Sequence, residues 1–289
     1  MINKKKIPVT VVIPTLGYDH IKFCLRAINL NTHLPTEVLV VVPQSNYKKM
    51  KDLKPLYKIL NLNIILSKKK NQVYQRILGF KNCKTDYVMQ LDDDVELKKN
   101  CIHNLYQFVK KRKNISVAPK YINSYKISKI YKKPNNYLLK FYHWLINSSD
   151  GYSPGKISLS GFNYSHENKS KGFEVHEWLS GGAVMHRRKN LILKNYYPYN
   201  FKRSFCEDIL HSLLLRKNGI ILYKCYDAKA SAQISGNIVL KSNKLKTLKD
   251  FYSEYLIRKY IVKNFKLSTT RLKIYYFIFF LRILVRLFR

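Results

Sequence analysis

The sequence predicts an α/β protein built on a mainly parallel sheet, and three observations carry that expectation. Short β-branched runs alternate with segments of helical apolar spacing through about the first hundred residues, the pattern of a parallel sheet covered by helices. One such run, Tyr87-Val88-Met89-Gln90-Leu91, ends abruptly in Asp92-Asp93-Asp94. Further on, the paired glycines of Trp178-Leu179-Ser180-Gly181-Gly182-Ala183-Val184-Met185 enter a second apolar strand, and glycine at such a place often marks the close approach of a ligand or another backbone.

The elements follow in order. Val9 to Thr15 is β-branched and bounded by Pro8 and Pro14, and Ile21, Leu25 and Ile28 then repeat at helical spacing. Glu37 to Val42 is a second strand, Tyr47 to Leu60 a helical region despite Pro55, and Leu62 to Leu66 a third strand. Gln72 to Phe80 supplies the next helix and Tyr87 to Leu91 the strand that delivers the acids. From Lys120 to His176, a Tyr, Lys, Asn and Ser mixture punctuated by Pro134, Gly151, Pro154, Gly155 and Gly161 predicts loops or short strands rather than long helices. Order returns with the Gly181-Gly182 strand, the helix Ile209 to Lys217 closed by Asn218-Gly219, and the short strand Ile220 to Tyr223.

Composition narrows the partners. The net charge is +37, from 54 Lys and Arg against 17 Asp and Glu, which favours a nucleic acid or an anionic membrane. The abundance of Lys, Asn, Ile and Tyr in cores and loops alike is also what AT-rich coding produces without any such partner. No RNP-like or zinc-finger motif is present, so no specific nucleic acid is expected. The five cysteines, Cys24, Cys83, Cys101, Cys206 and Cys225, form no close pair and read as reduced thiols of a cytoplasmic protein. The basic start is followed by a run broken by prolines, not by a cleavage-like region, and no uncharged stretch approaches the roughly 20 residues of a membrane span.

Three adjacent carboxylates repel one another unless a cation joins them, and Mg²⁺-like ions pair one or two carboxylates with substrate phosphates. Asp92 to Asp94 therefore read as a metal-diphosphate site, the competing reading being an acidic cap on a helix starting near Glu96. Asp208 of Glu207-Asp208, directly before an apolar-periodic helix, reads on its own first as a capping or first-turn residue. None of the eight histidines forms an i, i+4 pair with an acid between, so none is expected to bind metal.

Taken in succession, Val11-Val12-Ile13-Pro14-Thr15, Leu91-Asp92-Asp93-Asp94, Gly181 to Arg188, Glu207-Asp208 and Lys217-Asn218-Gly219 resemble glycosyltransferase family 2 over about residues 7 to 265. The resemblance implies a GT-A fold, a Rossmann-like, mostly parallel mixed sheet flanked by helices. It implies an inverting transfer from a nucleotide-sugar donor to a glycan or lipid-linked acceptor, in surface polysaccharide biosynthesis. A nucleotide half of about 1–118 and an acceptor half of about 119–265 would together form the catalytic domain. By motif position, Asp208 would be the general base and Asp94 would hold a divalent metal, Mn²⁺ or Mg²⁺. Pro14, Thr15, Gln72, Gln75, Arg76, Asp92 and Asp93 would contact the nucleotide-sugar, and Trp178, Gly181, Gly182 and Glu207 the acceptor. The chain departs from the family pattern at Pro43, where many members carry an acid for the base, and at Gln233, where many carry a histidine. A sugar-nucleotide nucleotidyltransferase would share the sheet and acids, but its Gly-rich phosphate loop is missing from Pro14-Thr15-Leu16-Gly17.

The segment 266–289 reads as a basic amphipathic helix. At roughly 100° per residue, Arg271, Arg282, Arg286 and Arg289 fall on one stripe of a wheel otherwise covered by Ile, Leu, Phe, Val and Tyr, with Lys273 off the stripe. Such a helix suits the surface of an anionic membrane, and peripheral attachment to its cytoplasmic face is expected, the alternative being a terminal helix packed on the protein.

Overall fold

The computed structural model describes residues 4–122, 134–151, 153–163, 171–201, 204–232 and 244–287. Gln233 lies outside the described residues, as do the side chains of Arg282, Arg286 and Arg289. The chain forms two compact units, one of residues 1–124 with 168–234, the other of residues 125–167 with 235–289. These units are defined by packing; the donor and acceptor halves expected from the sequence are a functional division that packing does not address.

The first unit begins as expected. Strand β1 (Lys5–Pro14) pairs in parallel with β2 (His33–Pro43) and β4 (Tyr87–Leu91), and β2 pairs in parallel with β3 (Leu62–Ser67). Helices α1 (Ile21–Asn29), α3 (Gln72–Asn82) and α4 (Cys101–Lys110) cover this sheet, while the region expected as one helix over 47–60 is a single turn, α2 (Tyr47–Lys51), flanked by 3-10 turns. Pro55 sits in the second of these turns, lacking the N–H that a continuing helix needs. The alternation of β1 explains its burial on both faces. Val9, Val11 and Ile13 join α1 and α4 residues in the main core, whereas Val12 packs with Leu39, Val41, Val88 and Phe80 of α3.

The later strands turn the sheet into a mixed one, in the order β3-β2-β1-β4-β8-β6-β9-β5, with β7 on β9. Here β5 is Val95–Leu97, β6 Ile115–Tyr121, β7 Phe173–His176, β8 Ala183–Arg187 and β9 Ile221–Ala232. β8 runs antiparallel between β4 and β6. The strand expected from Trp178 begins only at Ala183, so Trp178 to Gly182 form the loop that leads into it. No helix starts at Glu96: the three aspartates lead into β5, and α4 begins at Cys101. The helix-cap reading of those acids is thereby removed.

The second unit is helical. The expectation of loops and short strands through residues 120–176 misses α5 (Tyr137–Asn147). Its start is capped by Asn136, which accepts from Leu139 N at 2.9 Å, and its end is turned by Ser148 in the left-handed region, φ 61. Only Ile146 and Asn147 of α5 are buried, so most of its apolar side chains face outward or are half-buried. The long α7 (Lys244–Asn264) follows, also unforeseen, and then α8 (Thr269–Leu287) where the tail helix was expected, packed against both α7 and α5. Phe162, Val262, Leu272 and Tyr276 form the core of this unit. Arg271, expected on a surface stripe, instead donates to the carbonyls of Trp144 and Leu145 at 2.5 and 2.6 Å and to Ser148 Oγ at 3.0 Å. A cation there satisfies the orphan carbonyls at the end of α5 and complements its dipole.

Candidate active site

The end of β1 is tied down before any ligand is considered. Thr15 N donates to Val41 O, and Gln75 Nε2 donates to both Thr15 O and Val41 O at 2.8 Å. Gln75 is fully buried in this clamp, so its amide holds the β1 and β2 ends together. Thr15 Oγ1 donates to Asp93 Oδ2 and His20 Nε2 lies 3.1 Å from Asp93 Oδ1. Asp93 thus anchors the loop between β1 and α1 rather than projecting alone. Gly17 in that loop has φ +88, and an added Cβ would lie 2.5 Å from Asn46 Cβ. Asn46, just past Pro43, also donates to Leu16 O at 2.6 Å.

Asp92 sits at the tip of β4. Its N–H donates to Gly182 O at 2.8 Å, and its Oδ1 accepts from Gln72 Nε2 at 3.0 Å and Arg76 Nη2 at 3.1 Å. Arg76 is 1% exposed and its other terminal nitrogen donates to Glu207 Oε1, which also accepts from Tyr196 OH at 2.7 Å. Burial disfavours the guanidinium cation, but Glu207 and Asp92 outweigh burial and hold its pKa above the ordinary value. Burial pushes the Asp92 carboxyl up to about 7 against the opposing pull of Arg76, with Glu207 and Asp94 adding to the rise. Asp94 is likewise raised, by burial first and then by Asp93, with His20 opposing.

The two glycines explain how acids from opposite ends of the sequence meet. A Cβ on Gly181 would lie 3.0 Å from Glu207 Oε2 and 3.4 Å from Asp208 Cβ; one on Gly182 would lie 2.7 Å from Tyr121 OH and 3.6 Å from Asp92 Oδ2. Gln90 Nε2, from within β4, fixes this loop by donating to Gly181 O at 2.8 Å. Glu207 and Asp208 open α6 (Glu207–Lys217), and Cys206 before them adopts the left-handed conformation, φ 53. Asp208 Oδ1 accepts from Ile209 N at 2.9 Å, so part of the capping role foreseen for this residue is real. Glu207 instead turns inward to Arg76.

The structure therefore brings together Asp92, Gln72, Arg76, Gly181, Gly182, Glu207 and Asp208, with Thr15, Asp93 and Asp94 on the adjoining strand ends. Pro14 closes β1. Trp178 is 7% exposed, and its Nε1 has no hydrogen-bond partner among the described residues. Sequence reasoning missed Tyr196, Tyr121, Gln90 and His20. Only His20 carried a usable signal, its place in the loop after the first strand, where open α/β sheets bind ligands.

Two carboxylates that burial and neighbouring acids hold above their usual range are a donor set that a hard divalent cation relieves. Among the described residues no three His, Cys, Asp or Glu side chains are grouped for a metal ion. A Mg²⁺-like ion that keeps waters and substrate phosphates needs only one or two, so Asp94, with Asp92 beside it, fits that demand.

A mixed sheet with acids at the tip of β4, facing a second acidic pair at a helix start, defines the class: a GT-A type glycosyltransferase. The chain belongs to Glycosyl transferase family 2, whose family model matches residues 10–190. That span includes Asp92 to Asp94 and the glycine pair but ends before Glu207. Among solved structures, GalNAc-T7, crystallised with UDP, GalNAc and Mn²⁺, is 15% identical at a TM-score of 0.56, over 86% of this chain and 50% of that one. Staphylococcus aureus TarS 1-349 in complex with UDP-GlcNAc is 15% identical at a TM-score of 0.56, over 91% of this chain and 68% of that one. The chain thus spans half of the first of these and about two thirds of the second. At this identity the likeness is one of fold. No curated protein matches.

Proposed function

We propose that this glycosyltransferase moves a sugar from a nucleotide-sugar donor to an acceptor hydroxyl with inversion, Asp208 serving as general base. The observation that carries the reading is the glycine pair, which lies against Asp92 on one side and against Glu207 and Asp208 on the other, so closely that a side chain at either position would press on Glu207 or Tyr121; their bare backbone is what lets the strand-end acids and the helix-start acids share one site. UDP or UDP-sugar in the two similar structures supports a nucleotide-sugar donor.

In this mechanism the Asp208 carboxylate takes the hydroxyl proton as the acceptor oxygen attacks the anomeric carbon. The bond from that carbon to the diphosphate breaks on the opposite face, which inverts the centre. Asp94, with Asp92, would hold a divalent metal, Mn²⁺ or Mg²⁺; when bound, it supplies Lewis-acid stabilisation of the leaving diphosphate. Gln72 and Arg76 orient Asp92, and Tyr196 and Arg76 orient Glu207. With both terminal nitrogens engaged by carboxylates, Arg76 acts through them as a positioning residue. Trp178, Gly181 and Gly182 shape the acceptor side. The acceptor is a glycan or lipid-linked sugar of surface polysaccharide synthesis, reached from the cytoplasmic face of an anionic membrane against which the helix α8 lies.

The decisive experiment is Asp208→Asn. The amide cannot take a proton, so transfer falls by about 10²- to 10⁴-fold while calorimetric donor affinity stays within twofold of wild type. Transfer within tenfold of wild type would assign the base elsewhere. A thermal-shift screen of UDP, dTDP, GDP and CMP sugars, each with and without Mn²⁺, identifies the donor.

A further inference from the structure

The second unit exposes an unusual amount of aromatic surface for a helical body. On α5, Tyr137, Leu138, Phe141 and Trp144 are 88%, 79%, 60% and 52% exposed. At roughly 100° per residue Tyr137, Phe141 and Trp144 lie on one stripe with Leu138 at its edge, and the Phe141 and Trp144 rings stack at 6.0 Å. On α8, Phe277 and Leu281 are 63% and 43% exposed on the side opposite the buried Leu272 and Tyr276, and Phe280, 44% exposed, lies between the two sides. The two helices pack together, and Arg271 at the start of α8 bonds the last carbonyls of α5.

We propose that α5 and α8 together form a docking surface that lies on an anionic membrane, with Tyr137, Phe141 and Trp144 entering the headgroup boundary beside Phe277 and Phe280. This rests on the membrane-face reading above and extends it from the tail to a second, internal helix. Three observations select this occupant. Scattered exposed apolar residues are ordinary, whereas an aromatic stripe on a helix needs a partner. Residues 125–167 and 235–289 carry 19 Lys and Arg against 4 Asp and Glu, so a second copy would be repelled while anionic headgroups are attracted. Tyr and Trp, amphipathic rings with a polar atom, are the residues that settle at the boundary of lipid and water. Among the described residues no helix is long and apolar enough to cross a membrane, and the 11-residue α5 suits lying on the surface. Lys140, over the Tyr137 ring at 5.6 Å, and the exposed Lys273 flank the two apolar faces.

The test uses the full chain, because Leu272 and Tyr276 belong to the core of this unit and deleting the tail would unfold it. Cosedimentation is measured with vesicles of phosphatidylcholine and with vesicles containing phosphatidylglycerol, for wild type, Phe141→Ser/Trp144→Ser and Phe277→Ser/Phe280→Ser. All four side chains are exposed, and circular dichroism confirms the fold. Binding of wild type to the anionic vesicles only, weakened about tenfold or more in each double variant by loss of buried apolar area, is the expected result. Loss in the α8 variant with wild-type binding by the α5 variant leaves the tail reading standing and overturns the two-helix surface. Absence of wild-type binding overturns both, and a concentration-dependent dimer that the α5 variant abolishes overturns the two-helix surface. In a Trp178→Phe background the remaining Trp144 reports directly: a blue shift and protection from acrylamide on adding anionic vesicles is expected, and an unshifted spectrum contradicts insertion. None of these measurements reads sugar transfer, so their failure leaves the transferase reading untouched.

Discussion

Removal of the Arg76 guanidinium leaves Asp92 and Glu207 turned towards each other with no cation between them. Breaking a buried pair by deleting one partner costs about 3 to 5 kcal/mol, so Arg76→Met should lower the melting midpoint by roughly 10 °C at the usual 2 to 4 °C per kcal/mol, read by calorimetry. Asp94→Ala carries no such cost; it should weaken Mn²⁺-dependent nucleotide binding and leave the midpoint unchanged, and unchanged metal dependence in calorimetric titration would remove the metal assignment. The histidines behind Arg76 make stability depend on pH. Burial pushes the His211 imidazole down to about 3, with Arg76 adding, and His186 well below its usual value. Both are therefore neutral in the fold but take a proton at about pH 6.5 when unfolded. Stability is retained above that pH and lost as pH falls below it, by at most about 1.4 kcal/mol per pH unit for each group. His211→Phe should flatten the fall in melting midpoint between pH 7 and 5. At this scale the acids themselves were readable, because three carboxylates at the end of an apolar run have few bland explanations. Their partners were not. Arg76 and Glu207 stand 131 residues apart, and nothing in a single sequence couples them.

Elements with strong periodicity came out nearly as the residues dictate: β1 to β4, α1, α3 and α6 lie where apolar spacing and turn residues put them. α7 escaped detection because it carries no one-sided apolar stripe; α5 carries one, in Tyr137, Phe141 and Trp144, but stands in a segment whose Pro, Gly, Asn and Ser residues read as loops, and the strand β5 after the aspartates is too short to have a pattern. Close packing of these elements gives two further tests. A Cβ on Gly79 of α3 would fall 2.3 Å from Val12 Cγ1 and 3.1 Å from Val41 Cγ2, so Gly79→Ala must push the helix off the sheet. The expected cost is about 1 to 3 kcal/mol, as for other overpacked cores, measured by chemical denaturation. Gly182→Ala places a methyl 2.7 Å from Tyr121 OH beside Asp92; transfer should fall by at least about tenfold, roughly 1.4 kcal/mol of barrier, with a smaller change in melting midpoint than Gly79→Ala. An enzyme as active as wild type would show that this loop has room to spare.

For the molecule as a whole, composition announced a basic chain but not where its charge would matter; that depended on which helices kept aromatic faces uncovered. The family match stops at residue 190, yet the site is completed by Tyr196, Glu207 and Asp208. The same 131-residue separation between Arg76 and Glu207 has a temporal meaning. At about 5 to 20 residues per second of synthesis, Glu207 emerges roughly 7 to 26 s after Arg76. Until then the guanidinium that will be sealed inside the protein has no second acid to meet. A nascent chain arrested before residue 207 should accordingly stay open to protease at Arg76, and one released beyond it should close. The candidate site thereby takes shape only once residues 207 and 208 have followed the rest of its walls out of the ribosome.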